Sequence, residues 1–293
     1  MERKIVPYLD KDFQYGMHAC GFMYDIMFTN SLEAMEYWYK QGIKIFEVDI
    51  DVTNDGEYVA CHNFTKETFK KMEIQNIPDI CTCSWFKEQK LYGKTTEGLT
   101  PISLEDIFEL LCKYSDTLFM IDPKIYSYNG ICELLDKIKS YIDKFGIDGK
   151  RIIFETYNED MIFATREYKG LVQYQYCVDD EIQMGTSEKI RSWEIDVLVD
   201  FLKKNDIWIL SYPWKFAVED LERVKRLHDE GFVMFSKTRN DILADFLKKA
   251  CVDVNIIDYL VTPEQEEELQ GYKKEYLQMY GDKIKSTFKG VKE

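Results

Sequence analysis

Short apolar runs alternate with longer amphipathic segments along most of this chain, and that rhythm restricts the possible folds more than any other feature. The runs Gln14–His18, Ile43–Ile50, Tyr58–Cys61, Thr117–Ile121, Arg151–Glu155, Leu171–Gln175, Ile207–Leu210 and Gly231–Phe235 read as strands, with Val252–Ile257 a weaker ninth. Between them, Ser31–Gln41, Ser103–Lys113, Gly130–Phe145, Asn158–Tyr168, Trp193–Lys204, Ala217–Glu230 and Asp241–Ala250 read as helices. Ser31, Ser103 and Asn158 are followed by acids, so each offers an oxygen to the open N–H groups of a first turn and a charge that suits the helix dipole. Parallel strands need a crossover, and a helix is the usual one. About eight strand–helix units with no break in composition predict an α/β fold, a (β/α)8 TIM barrel formed as a single domain. At 293 residues, 45% of them hydrophobic, the chain is large enough for that core.

Two stretches depart from the rhythm. Asp51-Val52-Thr53-Asn54-Asp55-Gly56 is a turn signal, so Tyr58–Cys61 is expected to return on Ile43–Ile50 as an antiparallel arm. Residues 63–101 have weak periodicity and read as an insertion over one barrel end. After Pro263 a charged amphipathic helix is expected over about 263–288, packed on the barrel with a solvated face.

Charge excludes some partners. With 38 basic and 53 acidic residues the net charge is −15, which repels nucleic-acid phosphates and anionic membranes but not a small anion whose charge a metal can offset. No apolar run of 18 residues is present, and no apolar segment follows the basic MERK start, so a cytoplasmic protein with no integral membrane contact and reduced cysteines is expected.

Barrel enzymes place their chemistry at the C-terminal ends of the strands. There the sequence puts His18, the pair Glu47 and Asp49, His62, and Asp122 with Lys124. Strand side chains alternate faces, so Glu47 and Asp49 share one side and Asp122 and Lys124 share one. Acids on a buried strand are costly unless paired or metal-bound. Two readings are open: an ion pair with Lys or Arg, or a divalent site in which Glu47, Asp49 and Asp122 offer the hard oxygens that Mg2+ or Ca2+ prefers. His18 and His62 beside such a cluster suit acid–base work near neutral pH. His228, near the end of a helix and shortly before a glycine, reads as structural.

The ordered set His18-Ala19-Cys20-Gly21, Thr29-Asn30-Ser31-Leu32-Glu33-Ala34, Glu47-Val48-Asp49, Thr53-Asn54-Asp55-Gly56 and Val59-Ala60-Cys61-His62-Asn63 resembles the glycerophosphodiester phosphodiesterase family, whose opening pattern is His-Arg-Gly, Glu-Asn-Thr, Glu-x-Asp, Thr-x-Asp-Gly and a second His after an apolar strand. Asp122-Pro123-Lys124 is similar to its Glu-x-Lys, Thr238-Arg239-Asn240 to its Thr-Val-Asn, and Ile256-Ile257-Asp258 to its closing Ile-x-Thr-Asp. The resemblance implies a hydrolase that cleaves a small phosphodiester into an alcohol and glycerol phosphate. It implies His18 and His62 as the acid–base pair, Glu47, Asp49 and Asp122 as ligands of a divalent cation, and Lys124 on the phosphate. Ala19 stands where the family has Arg, Cys20 adds a residue before the glycine, and Asp122 replaces Glu. Lys237 stands where the family often has Trp, and is a candidate substrate cation in place of the missing Arg. A phosphatidylinositol-phospholipase-C-like or sphingomyelinase-D-like enzyme is the nearest alternative. Its lipid would want an apolar rim, for which Trp85-Phe86 and Trp214 are candidates unless they are packed. A barrel that binds without catalysis is the other alternative, supported by Ala19.

Overall fold

The computed structural model describes residues 6–9, 14–177, 194–214, 220–261 and 274. The chain divides into two compact units, one of Gly16–Tyr174 and one of Met1–Tyr15 with Gln175–Glu293.

The first unit holds β1 (Gln14–Met17, completed here by Gly16 and Met17), α1 (Leu32–Lys40), β2 (Ile45–Val52), β3 (Tyr58–Ala60), α2 (Lys66–Lys71), α3 (Cys83–Lys87), α4 (Leu104–Lys113), β4 (Leu118–Pro123), α5 (Tyr128–Phe145), β5 (Ile152–Thr156) and α6 (Glu159–Thr165). β1 runs parallel to β2, β2 parallel to β4, and β4 parallel to β5. The expected antiparallel arm is present: β3 returns on β2 with Ile50 opposite Ala60 and Val52 opposite Tyr58. Gly56, at φ 78°, takes the left-handed backbone that this reversal needs and that other residues rarely adopt. Side-chain oxygens start the helices as expected. Ser31 accepts from the Ala34 N–H, Asn158 from that of Met161, and Ser103 forms a reciprocal capping box with Asp106. Along α5, Ile131, Leu134, Leu135, Ile138 and Tyr141 recur at helical spacing and are buried.

The second unit repeats the plan with β6 (Gln173–Cys177, of which Gln175 onward lies here), α7 (Ile195–Lys204), β7 (Ile209–Pro213), α8 (Leu221–Asp229), β8 (Val233–Lys237), α9 (Ala244–Lys249) and β9 (Val254–Ile257). Its strands pair in parallel, β6 with β7, β7 with β8, and β8 with β9. His228 lies in the last turn of α8, 3.6 Å from Asp253, as its structural reading expects. The helix expected over about 263–288 lies outside the described residues apart from Lys274. No described helix is long and apolar enough to cross a membrane.

The structure departs from the sequence expectations at the strand ends and in the insertion. β2 continues to Val52 rather than Ile50, β4 to Pro123 rather than Ile121, β7 to Pro213 rather than Leu210, and β8 to Lys237 rather than Phe235. The added residues include Asp51, Asp122, Ser211, Ser236 and Lys237. Polar side chains end an apolar run, whereas the backbone ladder carries on beneath them. Residues 63–101 are more than loop. Val59 and Cys61 join Phe69, Met72, Ile74, Cys81, Phe86, Leu91 and Leu99 in a separate buried cluster. Phe86 is fully buried there and Trp85 packs against it, so this pair is core and not the apolar rim considered above.

Candidate active site

β2 is buried from Ile45 through Ile50, and Glu47 and Asp49 are two residues apart on it, so both carboxylates emerge on one face. The parallel register of β2 and β4 sets Asp49 level with Asp122. Lys124 follows two residues later, its N–H donating to the Ile50 carbonyl so that the ladder holds past the strand end. Oxygens of Glu47, Asp49 and Asp122 all lie within 4.8 Å of one another, and all three residues are buried. Packing three acids this closely costs several kcal/mol per uncompensated charge, so each needs a partner.

Lys124 is the main one. Its ammonium lies 2.7 Å from Asp49 Oδ1 and 2.7 Å from Asp122 Oδ2, with 8% of the side chain exposed. Burial alone would raise the Asp49 carboxyl, but Lys124, then His18 and His62, outweigh it and bring it down to about 2. Burial alone would likewise lower Lys124, yet Asp122, Asp49 and Glu47 hold it well above the ordinary lysine range. The ion pair of the first reading therefore exists. It does not exhaust the cluster, because three carboxylates against one ammonium leave negative charge in excess by two. Asp122 Oδ1 is buried with no hydrogen-bond partner among the described residues. An all-oxygen set with an orphaned lone pair and that excess charge fits a hard divalent cation. Asp122, though a methylene shorter than Glu, takes its place in the set.

The turn after β1 supplies the next group. Ala19 and Cys20 adopt left-handed φ values of 46° and 61°, and Gly21 closes the turn by donating its N–H to the His18 carbonyl at 2.7 Å. A Cβ on Gly21 would stand 2.4 Å from the Trp38 ring, so this position takes only glycine. The turn aims the Ala19 N–H at Glu47 Oε2, 2.5 Å away, and sets His18 Nε2 3.8 Å from the same oxygen. Ala19 thus contributes its main chain where the family pattern has an Arg side chain. Phe28 meets the His18 ring edge-on at 4.7 Å.

His62 follows β3. The Cys61 N–H donates to the Asp49 carbonyl at 3.0 Å, which ties the residue before His62 to the acidic strand. His62 itself is exposed, with Nδ1 2.7 Å from Asn63 Nδ2. The turn that carries His18 and the segment that leads into His62 therefore both attach to β2, which holds Glu47 and Asp49 beside Asp122 and Lys124. Lys237 ends β8 in the other unit, where it pairs in register with Pro213 and Ile256.

The sequence reading gave no role to three groups, although Asn30 stood in the motif that resembles the family's Glu-Asn-Thr. Asn30 is buried at φ 45°; its Nδ2 donates to Asp49 Oδ2 at 2.8 Å and its Oδ1 accepts the Asp49 N–H at 3.1 Å. Its main-chain N–H donates to the Ala19 carbonyl at 2.8 Å, so one residue ties the His18 turn to β2 through backbone and side chain together. An asparagine directly before the Ser31 cap was the available signal. Asp51 accepts the Phe64 N–H at 2.7 Å and fixes the segment that follows His62, while burial raises its carboxyl. Glu155 is buried on β5 with the Tyr157 hydroxyl donating to it at 2.7 Å. It was read as an ordinary strand end.

The family model for the glycerophosphoryl diester phosphodiesterase family matches residues 21–262, beginning just after His18. No curated protein matches the chain. Among solved structures, a glycerophosphodiester phosphodiesterase from Parabacteroides distasonis is similar at TM-score 0.64 and 15% identity, covering 92% of this chain and 98% of its own. One from Thermotoga maritima gives TM-score 0.60 and 21% identity over 85% of this chain and 95% of its own. An Oleispira antarctica phosphodiesterase, solved with its product sn-glycerol-3-phosphate, gives TM-score 0.65 and 16% identity over 85% and 94%. The fold is the (β/α)8 TIM barrel of these structures. The chain is a phosphodiester hydrolase and belongs to the glycerophosphoryl diester phosphodiesterase family.

Proposed function

We propose that this enzyme hydrolyses a glycerophosphodiester in a metal-dependent reaction, releasing an alcohol and glycerol phosphate, with His18 and His62 as its acid–base pair. The observation that carries the reading is the convergence of three buried carboxylates within 4.8 Å of one another, with an imidazole 3.8 Å from one of them. Glu47, Asp49 and Asp122 would hold the divalent cation, Mg2+ or Ca2+, whose chemistry when bound is to neutralise a non-bridging phosphoryl oxygen. Lys124 fixes two of those carboxylates and adds a permanent positive charge beside them, which favours the charge that builds on the phosphoryl group. Lys237, at the C-terminal end of a parallel strand, is proposed as a second substrate cation.

One imidazole takes the proton of the attacking oxygen, which is water or a substrate hydroxyl; in the second case the product is a cyclic phosphate, which water then opens to glycerol phosphate. The new P–O bond forms as the bond to the alcohol breaks, and the departing electron pair takes a proton from the other imidazole. The buried floor keeps bulk water off the acids, while the more exposed histidines stay open to exchange protons. The Oleispira antarctica product complex favours glycerol phosphate as the retained half. Residues 63–101 are proposed as an insertion within one catalytic domain.

The test is a turnover screen over glycerophosphodiesters before and after chelation, with Mg2+ or Ca2+ added back. Release of alcohol that stops on chelation and returns with the ion is the expected result. Undiminished turnover after thorough chelation would remove the metal from the proposal. No turnover of any diester would remove the reaction.

A further inference from the structure

Residues 63–101 carry none of the acids or imidazoles named above, yet they hold a buried core of their own and the chain passes into them directly from His62. His62 is exposed, so burial does not hold its ring. What holds its neighbours therefore sets its place.

His62 and Asn63 form a two-residue span fixed on both sides. Before it, the Cys61 N–H donates to the Asp49 carbonyl at 3.0 Å; after it, the Phe64 N–H donates to Asp51 Oδ2 at 2.7 Å. Asp49 and Asp51 are two residues apart on β2, so the strand that carries the acids also holds both ends of the span. The Asn63 carbonyl closes the span by accepting from Cys61 Sγ at 3.2 Å and from the Thr65 N–H at 2.9 Å. The side chains on either side go into the insertion. Cys61 is a buried member of its cluster and Phe64 packs against that cluster. The Phe64 ring meets Phe69 edge-on at 4.8 Å and Phe86 edge-on at 5.5 Å, and Phe69 meets Trp85 at 5.3 Å. Aromatic pairs prefer such edge-on geometry, so these contacts fix direction as well as distance.

The cluster is itself anchored at two places. In the β2–β3 turn, the Asn54 N–H donates to the Cys81 carbonyl at 3.1 Å, Asn54 Oδ1 accepts the Cys81 N–H at 2.8 Å, and Asp55 Oδ1 accepts the Cys83 N–H at 2.9 Å. At the end of the insertion, Thr100 gives its N–H and its hydroxyl to the Glu33 carboxylate of α1, at 2.7 Å each. The insertion is thus tied to the β2–β3 turn and to α1, and Phe64 joins that block to the residue beside His62. A misplacement of about 1 Å in a reacting group can cost about 10²-fold in rate, so such a joint bears on the chemistry.

Resting on the reading of His62 as one of the acid–base pair, we infer that Phe64 is a positioning residue for the reaction: its ring, packed on Phe69 and Phe86, passes the rigidity of the insertion to His62, and the insertion serves as the foundation of that imidazole.

The experiment reads His62 directly. The chain has three histidines, so NMR of isotope-labelled histidine gives one set of ring signals for each, and His62→Ala identifies the set that belongs to His62. Phe64→Ala should alter the tautomer balance and linewidth of the His62 signals while those of His18 and His228 hold. It should lower kcat about 10- to 100-fold with KM within about twofold of the parent. Phe64→Leu keeps an apolar group on Phe69 and Phe86; it should show the same changes on a smaller scale, and it carries the test if Phe64→Ala does not fold. Leu99→Ala removes a side chain only 1% exposed from the same cluster, so a general loosening would show there at least as strongly. It should leave the His62 signals in place and kcat close to that of the parent. No change in either Phe64 variant, in an enzyme that turns over a diester, overturns the positioning role and leaves the phosphodiesterase reading intact. Equal changes in Leu99→Ala also overturn it. His62 signals that move with Phe64, in a protein that turns over no diester, keep Phe64 as the support of His62 and overturn the phosphodiesterase reading.

Discussion

Glu47, Asp49 and Asp122 are at most 2% exposed and stand on strands, with Lys124 closed in among them, whereas His18 is 28% exposed on a turn and His62 is exposed outright. The floor and the rim of the site therefore answer to different physics. A buried charge must find its compensation inside the protein, so each floor residue is bound into the fold through Lys124, Asn30 or the Ala19 N–H. A group in contact with water needs no such partner, and its loss leaves little behind. Substitutions at the rim should cost chemistry, and substitutions on the floor should cost chemistry and stability together.

The largest effect tests the rim. His18→Ala and His62→Ala should each lower kcat on the best diester by about 10²–10⁴-fold, or about 3–5 kcal/mol of barrier, since that is what a general acid or base supplies. Unfolding midpoints in urea should stay within about 1 kcal/mol of the parent. A histidine variant that loses several kcal/mol of stability would place that residue with the floor.

Next comes the floor. Lys124→Met leaves Asp49 and Asp122 facing each other without their ammonium, and should destabilise the protein by about 3–5 kcal/mol in the absence of added divalent ion. Adding Asp122→Asn to Lys124→Met removes one of the stranded charges and should restore part of that loss in the same urea titration. An unchanged midpoint in the single variant would mean that the acids are compensated by something other than Lys124.

The two regions also differed in how far the sequence disclosed them. Strand–helix alternation gave the order of elements, and the i, i+2 spacing of Glu47 and Asp49 put both acids on one face before any coordinates did. Period-two alternation is a property of the backbone, so it survives translation into structure. The ends of the strands were less legible, because Asp51, Asp122 and Lys237 interrupt apolar runs where the backbone ladder carries on. Asn30 stood in a motif but was given no role, for a related reason. Its left-handed backbone and its two hydrogen bonds to Asp49 depend on a loop path that no local periodicity encodes.

Asn30 is where floor and rim meet, so its removal sharpens the contrast between them. Asn30→Ala withdraws a donor from the buried Asp49 carboxylate and an acceptor from the Asp49 N–H, and should cost about 1–3 kcal/mol of stability. Asn30→Asp should cost more, since it sets a further carboxylate against Asp49. If both variants unfold at the same urea concentration as the parent, Asn30 does not hold the floor.

The smallest effect belongs to Asn63, the neighbour of His62. Its side-chain amide lies 2.7 Å from His62 Nδ1, the only contact the structure places on that ring nitrogen among the described hydrogen bonds. An amide nitrogen there is a donor, so it favours the form of His62 whose Nδ1 carries a lone pair and whose Nε2 carries the proton. Asn63→Ala frees the tautomer and the ring orientation without touching the acids. Loss of one exposed hydrogen bond is worth about 0.5–1.5 kcal/mol, so kcat should fall about two- to tenfold while the urea midpoint and the affinity for divalent ion hold. Asn63→Asp places a carboxylate against the same nitrogen and favours the imidazolium, so the limb of the kcat–pH profile set by His62 should move to higher pH. A profile that keeps its shape in Asn63→Asp would show that His62 does not titrate in the rate-determining step, and the rim would then rest on His18 alone.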